Sequence, residues 1–354
     1  MSNPRLEINC DKIHHNARVL FHRLGNKGIS VTPVTKVCLG HLEIVQTLIN
    51  AGANMIADSR VENIEYMRHS GITLPMMLIR SPMLSQTSKV VQHCDISLNT
   101  ELSVIKQLSK DANRSDSVHG VVIMIELGDL REGVMPDDLE DFIREMIHLP
   151  NIVLRGIGTN LTCRYGAAPD NDKMANLSDL ADKMEKIFGI TLDIVSGGNS
   201  ANLNWALSNK KKTRINHLRL GEAIYLGCET LYQQNLAGLF TDAITLIAEV
   251  IESKVKPSLP WGDLCLNAFD EQEKVLDRGN VSQAILAIGR QDVSIPGLKP
   301  PIGVTIVAST SDHLIVETSD SLLTVGQEVR FQLNYSALLS SMSSPFIYKC
   351  LVEN

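Results

Sequence analysis

From about residue 30 to about residue 220 the sequence repeats one unit, a short apolar run followed by a longer amphipathic one. The runs at 30–36, 54–57, 76–79, 95–98, 120–126, 153–158, 192–195 and 217–220 read as strands, and 42–51, 60–69, 101–111, 137–148 and 173–188 read as helices. Within 42–51, Leu42, Val45, Leu48 and Ile49 recur at three- and four-residue spacing, which puts them on one helix face. The stretch Val121-Val122-Ile123-Met124-Ile125 is apolar without alternation, as a strand covered on both faces must be. Eight β-then-α units predict an α/β fold of the closed (β/α)8 TIM-barrel type, with an open doubly wound sheet as the alternative.

The texture changes after about residue 240. The runs 244–250, 283–288, 304–308, 313–318 and 328–333 are rich in β-branched residues and separated by turn signals, which predicts a C-terminal antiparallel β-domain. The expected division is a barrel over 10–238 and a β-domain over 239–354. A strand at 5–9, within the N-terminal segment 1–9, is expected to pair with the second domain.

A chain of 354 residues, 44% hydrophobic and 21% charged, has enough apolar material for a large core and a smaller second domain. The formal net charge of -7 and the lack of a strong basic patch argue against nucleic acid as a partner. Lys210-Lys211-Lys212-Thr213-Arg214 reads as a solvated helix end or loop. No run is long and apolar enough for a membrane span, and Met1-Ser2-Asn3-Pro4-Arg5 does not open a signal peptide. Seven scattered cysteines without a Cys-x-x-Cys pair give no sign of a disulfide framework or a metal site. The expectation is a cytoplasmic protein with no bound metal.

In such barrels the chemistry lies at the C-terminal ends of the strands, and phosphate often binds after strands 7 and 8. Lys36 ends the first strand. It is either a lysine snorkelling from a strand end or an amine desolvated enough to lose its proton and form an imine. Ser196-Gly197-Gly198-Asn199-Ser200 follows strand 7, where glycine backbone and Ser200 suit an anion, or merely cap a helix. Arg219-Leu220-Gly221-Glu222 follows strand 8. Its guanidinium either faces a pyridine nitrogen and keeps it unprotonated, or pairs with Glu222. Arg131, after strand 5, either grips a substrate carboxylate or forms a salt bridge with Asp129 or Glu132.

Taken together these stations resemble the fold-type III pyridoxal-phosphate family, the alanine racemases and, more closely, the ornithine racemases. The resemblance is carried by Thr35-Lys36, Ala57-Asp58-Ser59-Arg60, Leu127-Gly128-Asp129-Leu130-Arg131-Glu132-Gly133 and Asn160-Leu161-Thr162-Cys163. It continues through the loop at 196–200, Leu218-Arg219-Leu220-Gly221-Glu222, Lys256-Pro257-Ser258-Leu259-Pro260, Ile285-Leu286-Ala287-Ile288-Gly289 and Ser311-Asp312-His313. The resemblance implies that Lys36 would hold pyridoxal 5'-phosphate as a Schiff base and carry one proton. Asn199, Ser200 and Gly221 would hold the phosphate with Tyr225 nearby, Arg219 would face the pyridine nitrogen, and Arg131 would meet the substrate carboxylate. It also implies a homodimer with shared active sites.

One departure stands out. The alanine racemases carry a second acid/base tyrosine in a Gly-Tyr-x-Asp string, and the matching stretch here is Gly289-Arg290-Gln291-Asp292. The histidine that supports the tyrosine is absent where Asn160 aligns. Asp292 and Cys163 come first as replacements, followed by Tyr165 and His313; the Arg290 guanidinium scarcely deprotonates. The resemblance thus implies an amino-acid racemase working by two-base transfer of the α-proton, with ornithine as first substrate and lysine, arginine or alanine after it. The rival readings are a related decarboxylase or D-amino-acid aldolase, and a non-catalytic pyridoxal-phosphate carrier.

Overall fold

The computed structural model describes residues 4–209, 211, 213–266, 269, 276–319 and 322–353. Lys210 and Lys212 of the basic run, and Met1, Ser2 and Asn3 of the N-terminal segment, lie outside the described residues. The chain divides into two compact units. One is Cys10–Phe240, and the other joins the described residues up to Asn9 to those from Thr241 onward.

Strand β1 (Arg5–Asn9) belongs to the second unit, and helix α1 (Cys10–Gly25) opens the first. The strands β2 (Ser30–Pro33), β3 (Ile56–Asp58), β4 (Met76–Leu78), β5 (Ile96–Asn99), β6 (His119–Ile125), β7 (Ile152–Thr159), β8 (Ile194–Ser196) and β9 (His217–Leu220) then form one parallel sheet. Its order runs from β3 through β9 in sequence and then to β2. The ring closes where Val34 bridges Ala57 and the Thr35 N–H donates to the Ala57 carbonyl at 2.8 Å. That closure decides for the barrel over the open sheet. The helices between strands are α2 (Leu42–Asn50), α3 (Val61–His69), α4 (Thr87–His93), α5 (Leu102–Arg114), α6 (Leu139–Met146), α7 (Asn171–Phe188) and α8 (Leu203–Ser208), with α9 (Glu222–Leu226) after β9.

Packing follows the patterns that produced the elements. All seven residues of β6 are buried, their side chains divided between the barrel interior and the helix layer. Val34, Ala57, Met77, Ile96, Leu98, Val122 and Met124 pack together in one buried cluster. A second cluster gathers Val121, Ile123 and Ile157 with Met174, Leu177, Ala181 and Met184 of α7. Helix α7 is defined at both ends: the Asp170 carboxylate accepts the Lys173 N–H at 2.8 Å, and Gly189 turns the chain at φ 64°. Truncating a fully buried leucine of that face, such as Leu177, to alanine costs about 2–5 kcal/mol.

The first strand stops short of its expected end. Thr35 leaves the extended conformation at φ -92° and ψ 1°, and Lys36 begins the tight turn Lys36–Cys38.

In the second unit, β10 (Ile244–Pro257), β11 (Asn280–Leu286), β12 (Leu298–Lys299), β13 (Val304–Ser309), β14 (Leu314–Thr318), β15 (Glu328–Leu333) and β16 (Tyr348–Val352) make an eight-stranded sheet with β1. Its pairs are antiparallel except β1 with β16, which is parallel. Helix α10 (Tyr335–Ser343) separates β15 from β16, with the Asn334 side chain accepting the Ala337 N–H at 3.0 Å.

Candidate active site

Lys36 is half-buried just past β2, and the residues around it are held firmly. The Thr35 hydroxyl donates to Asp58 Oδ2 at 2.8 Å. Asp58 is fully buried and also accepts the Arg60 N–H at 2.9 Å and Asn63 Nδ2 at 3.1 Å. Burial raises this carboxyl's pKa despite those donors. From the other side, the Tyr225 hydroxyl donates to the Val34 carbonyl at 3.0 Å. Tyr225 is therefore a brace on the strand end that carries Lys36.

The loops after β8 and β9 meet directly. The Ser200 hydroxyl accepts the Ala223 N–H at 3.3 Å, and the Val34 N–H donates to the Leu220 carbonyl at 2.7 Å, which sets Gly221 beside the strand end of Lys36. Gly198 adopts φ 116°, a left-handed conformation that a side chain would strain. Asn199 caps the following turn by accepting the Ala201 N–H at 2.8 Å. Its Nδ2 donates to Asn160 Oδ1 at 3.2 Å, to the Leu161 carbonyl at 3.1 Å and to Cys163 Sγ at 3.4 Å.

Arg219 lies deep in the barrel, 4% exposed. Nη1 donates to Ser196 Oγ at 2.5 Å, and Nη2 donates to the Thr159 carbonyl at 3.0 Å and to Asn160 Oδ1 at 3.4 Å. All three acceptors are neutral, so the expected rival, a salt bridge with Glu222, is not made; Glu222 instead receives Thr230 and Gln233. Burial pulls the guanidinium down to about 10, which leaves it charged at neutral pH. Ser196 Oγ also lies 2.9 Å from His217 Nδ1, whose Nε2 is 2.8 Å from Thr32 Oγ1. Burial, with the charge of Arg219 behind it, pushes the His217 imidazole down to about 3 and keeps it neutral. The sequence reading gave Ser196 and His217 no role of their own; the one available signal was a histidine in the buried strand His217–Leu220.

Arg131 is exposed and its Nε and Nη2 both donate to the Glu132 carboxylate. The loop beneath is rigid. Glu126 accepts the N–H groups of Gly128, Leu130 and Arg131 at 2.6, 3.0 and 3.2 Å. Asp129, fully buried, accepts those of Arg164, Tyr165 and Ala167 at 2.9, 3.1 and 3.3 Å, clasping the loop after β6 to the loop after β7. Cys163, exposed in that second loop, also receives Asn160 Nδ2 at 3.1 Å. The charge of Glu132 acts on both Arg131 and Arg219, so these groups share one neighbourhood. Tyr165 is exposed and stacks under the Arg164 guanidinium at 4.7 Å.

Asp292, in the second unit, is 6% exposed. Its carboxylate accepts the Gly289 N–H and the Ser344 hydroxyl, each at 3.2 Å, and so ties a turn to the end of α10. His313 lies 3.0 Å from Asp312. Among the described residues no group of three or more His, Cys, Asp or Glu side chains is placed to hold a metal ion, and no helix is long and apolar enough to cross a membrane.

An eight-stranded parallel barrel with a lysine past its first strand, together with a separate β-unit, defines a protein of the alanine racemase type. The family model for the alanine racemase N-terminal domain matches residues 8–229. The chain is 38% identical to ornithine racemase of Acetoanaerobium sticklandii, over 99% of both proteins. It is 37% identical to lysine racemase of Thermotoga maritima, over 99% of this chain and 98% of that one. Alanine racemase of Clostridium difficile 630 shares the fold at a TM-score of 0.75 and 19% identity, covering 100% of this chain and 97% of that one. The chain belongs to the alanine racemase family, and with it to the fold-type III pyridoxal-phosphate racemases.

Proposed function

We propose that this chain is a pyridoxal 5'-phosphate-dependent amino-acid racemase, with ornithine as first substrate ahead of lysine, arginine and alanine. The observation that carries this reading is the buried Arg219 guanidinium, whose three hydrogen bonds among the described residues all go to neutral oxygens. Its charge is uncompensated by any of them, and a guanidinium has five N–H donors. The site fits the cofactor: a positive group for the ring nitrogen, a serine hydroxyl and glycine backbone on adjoining loops for the phosphate, and an amine on the neighbouring strand end.

When bound, the cofactor supplies the electron sink that acidifies the α-C–H of the attached amino acid. Lys36 Nζ holds the cofactor and moves a proton at Cα on one face. Ser200, Asn199 and Gly221 hold the phosphate, with Tyr225 bracing Val34 beside Gly221. Arg219, charged at neutral pH, keeps the ring nitrogen unprotonated by repulsion. Arg131 leaves Glu132 to take the substrate carboxylate. Cys163 Sγ is the favoured second proton carrier, since it is exposed and oriented by two side-chain amides. Asp292 is engaged in holding its own turn, which weighs against it. The enzyme acts in the cytoplasm as a homodimer with shared active sites.

The test is incubation of the cofactor-loaded enzyme with L-ornithine, L-lysine, L-arginine and L-alanine in D2O, following α-deuteration and chirality. Absence of α-exchange with all four would sink the proposal.

A further inference from the structure

We infer that Glu132 reads the distal ammonium of the substrate, so that the Arg131–Glu132 ion pair is exchanged on binding for two ion pairs with a dipolar, cationic amino acid. The inference rests on the racemase reading above and adds a specificity residue to it.

Several carboxylates near the site are committed to holding the fold. Glu126, Asp129 and Glu229 accept backbone N–H groups, and Glu222 accepts a hydroxyl and an amide, so all four are fastened within the fold. Asp58 is likewise held by three donors. Glu132 instead faces the side chain of its neighbour Arg131, the residue assigned to the substrate carboxylate. The backbone beneath the pair is fixed, because Gly133 sits at φ 157° and a Cβ there would stand 2.3 Å from the Glu126 nitrogen. The two side chains are therefore the adjustable parts of a rigid loop.

The energetics follow from charge. The Glu132 side chain is only 26% exposed, while that of Arg131 is 42% exposed. When Arg131 turns to a substrate carboxylate, Glu132 loses its partner while still largely covered. A neutral side chain leaves that charge uncompensated, which penalises binding. An ammonium on the substrate side chain restores the pair. The same loop thus favours a carboxylate and an ammonium in one molecule and disfavours an uncharged analogue, without any further cavity being shaped for size.

The experiment compares L-ornithine with L-norvaline, which has the same carbon chain and no distal amine. The ratio of their kcat/KM values is measured for the cofactor-loaded wild type, E132Q and E132D, with calorimetric Kd values for both amino acids. E132Q should reduce the ornithine-to-norvaline ratio by about tenfold or more, the effect of losing a charged hydrogen-bond partner. The Kd ratio should fall in parallel. E132D retracts the carboxylate by one methylene and should shift preference from ornithine toward lysine by about threefold or more. A wild-type ratio near one, an E132Q ratio unchanged from wild type, or a lysine-to-ornithine ratio unmoved in E132D each overturns the inference while leaving racemisation standing. If E132Q does not fold, the E132D result decides. Absence of α-exchange in the wild type with every amino acid is the different outcome that removes the racemase reading itself.

Discussion

Ser196 and Arg219 meet at 2.5 Å inside the barrel, and the same serine oxygen lies 2.9 Å from His217. One hydroxyl thus links β8 to two residues of β9 and fixes the direction of a buried guanidinium. Ser196→Ala removes a neutral acceptor from a charge that has few. It should destabilise the protein by about 1–3 kcal/mol and weaken retention of pyridoxal phosphate. Ser196→Thr, which keeps the hydroxyl, should restore much of both. Thermal unfolding and the equilibrium loss of cofactor on dilution report the two effects; wild-type values for S196A in both would contradict the assigned geometry.

Acid should weaken the barrel through its buried histidines. Burial pushes His217 down to about 3 and His119 down to about 4, while an unfolded histidine titrates near 6.5. Between those values the unfolded chain binds protons that the native state does not. Stability is therefore complete above about pH 6.5 and falls as the pH drops toward 4, at up to roughly 1.4 kcal/mol per pH unit for each group. His217→Gln keeps an amide between Thr32 and Ser196 and should shrink the difference in Tm between pH 7.5 and pH 5. An undiminished difference would remove His217 from the account.

Lys36 and Asp58 separate chemistry from support. Lys36→Ala truncates a half-buried side chain in a turn and should leave the unfolding temperature within a few degrees of wild type. It should abolish α-exchange and the borohydride-fixed label expected on the Lys36 peptide of wild type. Asp58→Ala should do the reverse. Three donors lose a buried acceptor, which costs about 2 kcal/mol or more, and the label falls only as far as Thr35 and Lys36 lose their placement. Peptide mapping after reduction, run beside calorimetry, tells the two patterns apart.

The parts of this molecule that were legible in its sequence are those that depend on local order. The unbroken apolar run of β6 and the 3.6-residue spacing of α2 each contain their own signal. Lys36 and Arg219 were singled out because a barrel places chemistry at strand ends. The polar supports were not, since Ser196–Arg219, Thr35–Asp58 and Asp129–Arg164 join residues that only barrel closure brings together. Strand β1 was expected to pair within the second domain, but its parallel partner β16 was not among the strands read. Helix α10 was hidden for another reason. Its serines are poor interior helix formers, and in the structure Ser340 bonds back to the Ser336 carbonyl at 2.8 Å. Strand β2 was read too long because Thr35, a strand-forming residue by type, turns at ψ 1° into the tight turn Lys36–Cys38.

The missing tyrosine leaves Cys163 and Asp292 to be distinguished, and their surroundings predict opposite phenotypes. Two amide groups direct Cys163 Sγ in an exposed loop, whereas Asp292 is buried with a backbone N–H and a hydroxyl as its donors. A second acid/base contributes about 10²–10⁴-fold to rate. Cys163→Ala should therefore slow racemisation by at least about 100-fold, with little change in Tm. It should also leave Lys36 to exchange the α-hydrogen of one enantiomer without inverting it. Deuterium incorporation from D2O, followed separately from D- and L-ornithine, exposes that asymmetry. Asp292→Ala should lower the Tm, because two buried donors lose their acceptor at a cost of about 1–3 kcal/mol each. Exchange in D292A should stay equally available to both enantiomers. If instead D292A shows the one-sided exchange and C163A remains a competent racemase, the proton on the face opposite Lys36 belongs to Asp292.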